Sequence, residues 1–402
     1  MMLSFATISF LGAAYWFVAA RLYTPTGIGL ASAAISAMMF LGNLGMLGFN
    51  TLLVGEIPRN PERAPSFIST SLIISGVTAL LIGIVFALNI GYISPDLAFL
   101  GNDLSTILLF SIGVMLTGIF GILDQAYIGL LRGEMQLIRN IIFSIAKLVL
   151  LPMAIYFTLT SEGLIIYATW TAGNLISFLP ILIAHPGGKS LSDYRPNFSY
   201  LSKFWSKALS HHVLNLALLA AFWLMPLIVT TIFSPEVNAG FYIAWLMANF
   251  LYIVPVALNF ALLAVSSSDT SLLTKRIRFT LSASFLIVLI GVIVTLLIGS
   301  FILSLFGPEY VETASSTLYI LAFGAFPLII RAHYIAINQI HRTLREPIIL
   351  MMIGAVIEIS FAILGGVYFG LIGLSIAWVI AFCIEALITL PKVYQIASGK
   401  RC

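Results

Sequence analysis

Charged side chains are scarce in this sequence. Only 8% of its 402 residues are Asp, Glu, Lys or Arg, whereas 60% are hydrophobic. Soluble domains carry about 25% charged residues, and a chain with so few cannot cover a soluble surface. The composition therefore predicts a membrane protein with several spans. It excludes soluble enzymes and nucleic-acid-binding proteins as classes for the whole chain.

Cysteine and catalytic motifs are equally sparse. The two cysteines, Cys383 and Cys402, are too few for a disulfide scaffold or a cysteine-built metal site. The stretch GGKS at 187–190 resembles the end of a phosphate-binding loop, but the first glycine of that motif is replaced by Ile183. We therefore predict no metal, no other cofactor and no enzymatic activity.

Long apolar runs are the main feature of the sequence. About 20 apolar residues are needed for a helix to cross a bilayer, and continuous runs disfavour the alternating strands of a barrel. The sequence thus predicts an all-α polytopic membrane protein of about twelve transmembrane helices. The predicted spans are 3–20, 28–53, 66–90, 104–131, 141–159, 164–184, 209–233, 240–264, 279–301, 312–338, 348–369 and 371–391.

The positions of the basic residues give the predicted spans an orientation. Sixteen of the 19 Lys and Arg residues fall in the loops after even-numbered spans or in the C-terminal tail, and the opposite loops hold only Arg21. Basic residues collect on the cytosolic side of membranes. Both termini are therefore predicted to be cytosolic, and the net charge of +4 indicates contact with anionic membrane lipids rather than nucleic acid.

The longest polar segment predicts the domain division. It falls after six spans and gives an N-terminal six-helix lobe at 1–184, a cytosolic linker at 185–208 and a C-terminal six-helix lobe at 209–402. Within 200–211, apolar residues at helical spacing predict a short interfacial helix. Two six-span halves of equal orientation are an architecture found in transporters.

Ionisable residues inside spans are costly and usually face a bundle interior or a wet cavity. Asp124, Lys147, Arg331 and Glu358 lie at similar depths, about 9–15 Å from the cytosolic ends of their spans. Consecutive spans pack together, so we predict that Asp124 contacts Lys147 and that Arg331 contacts Glu358. Each pair is interpreted either as a salt bridge between helices or as part of a polar cavity. Glu385 has no predicted neighbour.

Other polar groups are weaker candidates. Arg21 ends the first span and is interpreted as snorkelling to the outer interface or contacting a ligand. Interhelical hydrogen bonds account for most amide side chains within spans, but such amides would also suit sugar hydroxyls. The candidates for sugar contacts are Asn174, Asn215, Asn249, Asn338 and Gln125.

Several segments resemble one family. Residues 20–23 (ARLY) and 31–36 (ASAAIS) resemble the first part of polysaccharide-exporting membrane proteins, and 44–58 (LGMLGFNTLLVGEIP) is similar to their second span. Residues 306–310 (FGPEY) and 370–378 (GLIGLSIAW) resemble their loop before the tenth span and the start of their twelfth. The chain thus resembles the oligosaccharide-lipid flippase branch of the multidrug, oligosaccharidyl-lipid and polysaccharide exporter superfamily.

The resemblance implies two six-helix lobes around a central cavity, alternating access, and transfer of a polyprenyl-diphosphate-linked oligosaccharide across the cell membrane, coupled to H⁺ or Na⁺. On this view Lys147, Arg331 and Arg21 contact the head group, and Asp124, Glu358 and Glu385 serve in ion coupling or gating. Two alternatives stay open: a multidrug antiporter of the same superfamily, and a non-transport scaffold of a polysaccharide-assembly complex.

Overall fold

The computed structural model describes residues 2–156, 161–179, 191–266, 272–341, 343 and 345–399. Within these ranges the chain is helical, with no β-strand. The predicted linker residues 185–190, which include the GGKS stretch, lie outside the described residues.

The α-helices are α1 (Met2–Leu22), α2 (Pro25–Gly45), α3 (Phe49–Glu56), α4 (Ala64–Ile93), α5 (Leu104–Gly129), α6 (Gly133–Met153), α7 (Glu162–Ile176), α8 (Ser199–Ile232), α9 (Pro235–Ser266), α10 (Leu273–Phe306), α11 (Pro308–Phe323), α12 (Ala325–Ile340) and α13 (Arg345–Ala397).

These helices coincide with the predicted spans. In the described part of the chain, nine helical stretches are long and apolar enough to cross a membrane. One of them, α13, is broken at Gly370 (φ 69°, ψ −165°) and covers the last two predicted spans. Helices α1 and α7 occupy the first and sixth. The ends of the fifth and sixth spans, 157–159 and 180–184, lie outside the described residues. The predicted all-α membrane fold is confirmed.

Two predicted spans are each divided into two helices. The second is interrupted between α2 and α3, where Leu47 and Gly48 adopt positive φ angles. A side chain at Gly48 would overlap the carbonyl oxygen of Ala208, so glycine suits both the backbone conformation and the close approach of α8. The tenth is interrupted at Gly324, between α11 and α12.

Local sequence explains where several helices begin. Thr24, Asp103 and Ser161 are the N-cap residues of α2, α5 and α7, and each side-chain oxygen accepts a hydrogen bond from a backbone N–H three residues later. Hydrogen bonds from Ser105 and Thr106 also hold the pKa of the Asp103 carboxyl below its usual value. These caps fix the starts of three spans.

The helices form two compact units, 1–239 and 240–402. The boundary between these units falls near the start of α9. Helix α8 belongs to the first unit because its Ala208 packs into a buried apolar cluster with Phe49 of α3 and Ile122 of α5. Residues 200–211 are helical, but they are the first turns of the 34-residue α8 rather than a separate short helix. The two-lobe division at 184 and 209 stays a prediction.

The start of α2 is packed tightly against the first turn of α9. Asn238 Nδ2 donates hydrogen bonds to the Gly29 carbonyl oxygen over 2.9 Å and to Ser32 Oγ over 3.0 Å. Thr26 Oγ1 donates a hydrogen bond to the Glu236 carboxylate. A Cβ at Gly29 would overlap the carbonyl of Pro235. Glycine at position 29 is therefore required by contact with backbone, which cannot yield as a flexible side chain can.

Replacing Gly29 with Ala is expected to lower the free energy of unfolding by about 1–3 kcal/mol, because the methyl group forces α2 away from Pro235. Gly12→Ala is the matched control, since a Cβ at this other mid-helix glycine has open space around it. That control is expected to raise stability by up to about 1 kcal/mol. Thermal unfolding in detergent measures both. Equal shifts for the two variants would contradict the close contact at Gly29.

Candidate functional site

Lys147 is buried in the first unit in contact with aromatic rings. It lies in the middle of α6, where Gly173 lets α7 approach so closely that a Cβ there would lie 2.9 Å from Lys147 Cβ. The residue is 3% exposed. Its Nζ lies 3.3 Å from the ring centroid of Trp170, 4.5 Å from that of Phe143 and 4.9 Å from that of Tyr15. We call Tyr15, Phe143 and Trp170 the aromatic cage.

The cage is held together by its own contacts. Tyr15 Oη donates a hydrogen bond to the Ile166 carbonyl oxygen over 3.0 Å and lies 2.9 Å from Thr169 Oγ1. Both Tyr15 and Phe143 meet the Trp170 ring edge to face, with centroids 5.3 and 5.5 Å apart. These contacts bring α1, α6 and α7 together around the ammonium group, and none of them depends on Lys147.

Lys147 has no acidic neighbour among the described residues, and no hydrogen bond or ion pair to it is found there. Cation–π contacts stabilise a desolvated ammonium by about 2 kcal/mol or more. Burying a charge without an acidic partner costs free energy, and the cation–π contacts oppose that cost. In the described part of the chain, the aromatic rings are therefore the groups that compensate the Lys147 amine.

The prediction that Asp124 contacts Lys147 is wrong. Asp124 of α5 is paired instead with Arg139 of α6: Nε donates to Oδ1 over 2.8 Å and Nη2 donates to Oδ2 over 2.7 Å. The reason is the start of α6, which begins at Gly133 rather than near 141. Arg139 therefore belongs to the helix, about 12 Å before Lys147 along its axis, and reaches Asp124 first.

The predicted contact between Arg331 and Glu358 is confirmed in the second unit. Arg331 Nη1 of α12 donates to Glu358 Oε1 over 2.6 Å. Glu385, for which the sequence offered no neighbour, completes the group, because its Oε2 lies 3.3 Å from the same nitrogen. The guanidinium also lies 5.0 Å from the centre of the Phe382 ring. We call Arg331, Glu358 and Glu385 the acidic triad.

Glycines in α13 make the acidic triad possible. Glu358 precedes the break at Gly370 and Glu385 follows it, yet both reach one guanidinium, so the two halves of α13 lie side by side. A Cβ at Gly365 would overlap the Gly373 carbonyl, and a Cβ at Gly354 would overlap the Glu385 carboxylate. The Arg331 and two glutamate side chains are nearly inaccessible to solvent. Counted as ions, they sum to one negative charge.

The other candidates are not brought together into one site. Asn215 Nδ2 donates to Thr51 Oγ1 over 2.8 Å, and Asn338 Oδ1 accepts from Lys392 Nζ over the same distance. These two amides make interhelical bonds, as the structural interpretation predicts. Arg21 lies over the Phe17 ring at 5.7 Å. Asn174 is buried, whereas Asn249 and Gln125 are half-buried.

Sequence reasoning missed Arg139 and the aromatic cage. A signal was present in α6, because Arg139, Phe143 and Lys147 follow one another at intervals of four and therefore share one helix face. Tyr15 and Trp170 come from distant helices, and no spacing in the sequence indicates that they meet Lys147.

The fold of this chain resembles solved structures of membrane transporters over nearly its whole length. An inward-facing multidrug resistance MATE transporter of the MOP superfamily matches with a TM-score of 0.77 and 16% identity, over 98% of this chain and 94% of that chain. The lipid II flippase MurJ, in an inward closed conformation, matches with a TM-score of 0.76 and 14% identity, over 98% and 89%. The chain has the fold of these MOP-superfamily proteins.

A third similar structure is a MOP-superfamily transporter from Pyrococcus furiosus, described by the reverse polarity of its binding pocket. It matches with a TM-score of 0.64 and 16% identity, over 99% of this chain and 94% of that chain. No protein-family model and no curated protein sequence matches the chain. At these sequence identities the similarity establishes the fold. The substrate has to be inferred from the residues of this chain.

Proposed function

We propose that this protein is a flippase of the cell membrane that moves a polyprenyl-diphosphate-linked oligosaccharide between leaflets by alternating access. The observation that carries the proposal is Lys147, a buried lysine that has no acidic partner among the described residues. An anionic diphosphate compensates such a charge, with the ammonium acting as a point charge towards phosphate oxygens. One protein of the same fold, MurJ, is a lipid II flippase.

The charges of the first unit favour an anionic head group over a cationic one. Glu56, which is buried, and Asp124, which is half-buried, lie beside Arg59 and Arg139 respectively. A site for cationic drugs needs a carboxylate that is free to receive the cation. In the described part of this unit, the buried Lys, Arg, Asp or Glu residue without an oppositely charged partner is Lys147.

The acidic triad suits ion coupling. One guanidinium balances one carboxylate, so binding of one H⁺ or one Na⁺ would make the group neutral. A change of net charge in a desolvated place alters the free energy of the surrounding helices. We propose that Glu385, which makes the longer contact with Arg331, exchanges the ion and that Glu358 holds the guanidinium in position.

The multidrug antiporter is the second candidate, and the acidic triad is the observation that favours it. An organic cation could replace the coupling ion at Glu385, and MATE transporters share the fold. The two candidate functions differ in the sign of the ligand's charge: a flippase binds an anionic diphosphate, and an antiporter binds an organic cation.

Binding by the purified protein separates them. We expect a lipid-linked diphosphate to bind wild-type protein, and binding to weaken about tenfold or more in Lys147→Met and to persist in Lys147→Arg. Glu385→Gln should leave this binding intact. Failure of the diphosphate to bind, together with binding of an organic cation such as ethidium that Glu385→Gln abolishes, would replace the flippase by the antiporter.

The orientation of the first unit is also testable. Ser66 Oγ donates to the Arg195 carbonyl oxygen over 2.7 Å at the start of α4, and Asp96 follows the end of the same 30-residue helix. The two positions therefore lie about 45 Å apart along α4. We expect a reporter inserted at Arg195 to be cytosolic and one at Asp96 to be external. Signals from the same side would contradict the proposed topology.

A further inference from the structure

We propose that the aromatic cage is a binding site for organic ammonium ions which the protein's own Lys147 fills from within, so that Lys147 excludes cationic ligands. Aromatic faces within about 6 Å of a cation attract it, and cages of several rings recognise alkylammonium groups. All three rings lie within that distance of Nζ. The inference deepens the proposed function, because it names the residue that rejects cations, and it rests on geometry that is independent of the transported lipid.

The site persists when the lysine is shortened. Tyr15 is anchored by its hydrogen bond to Ile166 and by the edge-to-face contact with Trp170. The close packing of α7 on α6 involves the backbone and Cβ of Lys147 at Gly173. An alanine keeps those atoms. Lys147→Ala therefore opens a cavity beside intact rings instead of separating the helices.

The shape of that cavity identifies a probe. Lys147→Ala removes Cγ, Cδ, Cε and Nζ, and these four atoms form the skeleton of n-propylammonium. Like a lysine side chain in water, this amine is protonated at neutral pH. The alcohol 1-propanol has the same number of heavy atoms without the charge. Comparing the two separates recognition of the cation from simple filling of the cavity.

The experiment measures the thermal unfolding of purified protein in detergent during titration with each probe, without any lipid-linked substrate. We expect n-propylammonium to raise the unfolding temperature of Lys147→Ala saturably, at a concentration about tenfold lower than 1-propanol requires. The wild-type protein should not respond, because its own ammonium occupies the cage. Lys147→Ala/Trp170→Leu, which lacks the nearest ring, should lose most of the response. Lys147→Ser opens the same space and replaces the alanine variant if that does not accumulate.

Three results would overturn the inference: equal effects of the two probes on Lys147→Ala, an equal response of wild-type protein, or a full response without Trp170. The outcome is separate from that of the proposed function. If the cage binds n-propylammonium but wild-type protein binds no lipid-linked diphosphate, the flippase proposal fails and the cage stands. If wild-type protein binds the lipid-linked diphosphate but the cage does not bind n-propylammonium, the cage proposal fails and the flippase proposal is retained.

Discussion

Replacing Arg331 with Met is expected to prevent normal accumulation of the folded protein. The change leaves Glu358 and Glu385 buried beside each other without a cation. Removing one partner of a buried ion pair costs about 3–5 kcal/mol, which is a large part of the stability of a typical protein. Quantifying folded protein by size-exclusion chromatography in detergent, after equal expression, measures the effect. Arg331→Lys retains the charge and should lose far less.

A combined variant distinguishes structure from ion coupling in the acidic triad. Arg331→Met/Glu358→Gln/Glu385→Gln contains no buried charge at this place, so we expect most of the folded protein to return. If the triad couples an ion, transport by this variant should no longer respond to an imposed gradient. Full recovery of gradient-driven transport would show that the triad is only a salt bridge. A normal level of folded Arg331→Met would contradict the buried contacts themselves.

Replacing Lys147 with Met is expected to impair transport and to leave the folded protein intact. Methionine has nearly the same length and packs well against aromatic rings. The substitution removes both the cation–π contacts of the amine and the cost of its burial, and these two effects oppose each other. We therefore expect the free energy of unfolding to change by less than about 1.5 kcal/mol. Transport of a diphosphate-linked lipid should fall by about 10- to 100-fold, which corresponds to the loss of one charge-assisted hydrogen bond. Thermal unfolding and a flipping assay on one preparation measure both.

Lys392→Met is the matched control for this substitution. Lys392 is also a lysine in a helix beside an aromatic ring, but its Nζ lies 2.9 Å from Glu346 Oε2. Its replacement should leave transport near the wild-type level, because a carboxylate already compensates this amine. Equal loss of transport in both variants, or unchanged transport in Lys147→Met, would contradict the role proposed for Lys147.

The all-α membrane fold could be predicted from the sequence because apolar length is a property of single segments. The break at Gly370 was likewise visible as a glycine between two apolar runs. The contact of Arg331 with Glu358 was predicted because equal depth on consecutive helices was sufficient to bring the two together. The same argument failed for Asp124, because the apolar run is shorter than α6. Arg139 was therefore assigned to a loop instead of the helix.

The aromatic cage and the third member of the acidic triad could not be predicted in this way. Tyr15 and Trp170 contact Lys147 only after three helices pack together. The sequence of one helix does not indicate which other helices pack against it. Glu385 reaches Arg331 because glycines at 354, 365 and 373 allow the halves of α13 to lie close together. Their effect is to create space, which no charge or hydropathy pattern reveals.

Flipping in proteoliposomes tests the central claim most directly. Purified protein is reconstituted with a polyprenyl-diphosphate-linked oligosaccharide, a proton or sodium gradient is imposed, and the lipid that reaches the opposite leaflet is measured with a membrane-impermeant sugar-binding probe. We expect gradient-dependent flipping by wild-type protein and by Lys147→Arg, flipping that no longer depends on the gradient in Glu385→Gln, and a loss of about tenfold or more in Lys147→Met. Absence of flipping by wild-type protein, in vesicles where it exchanges an organic cation for the coupling ion, would contradict the account.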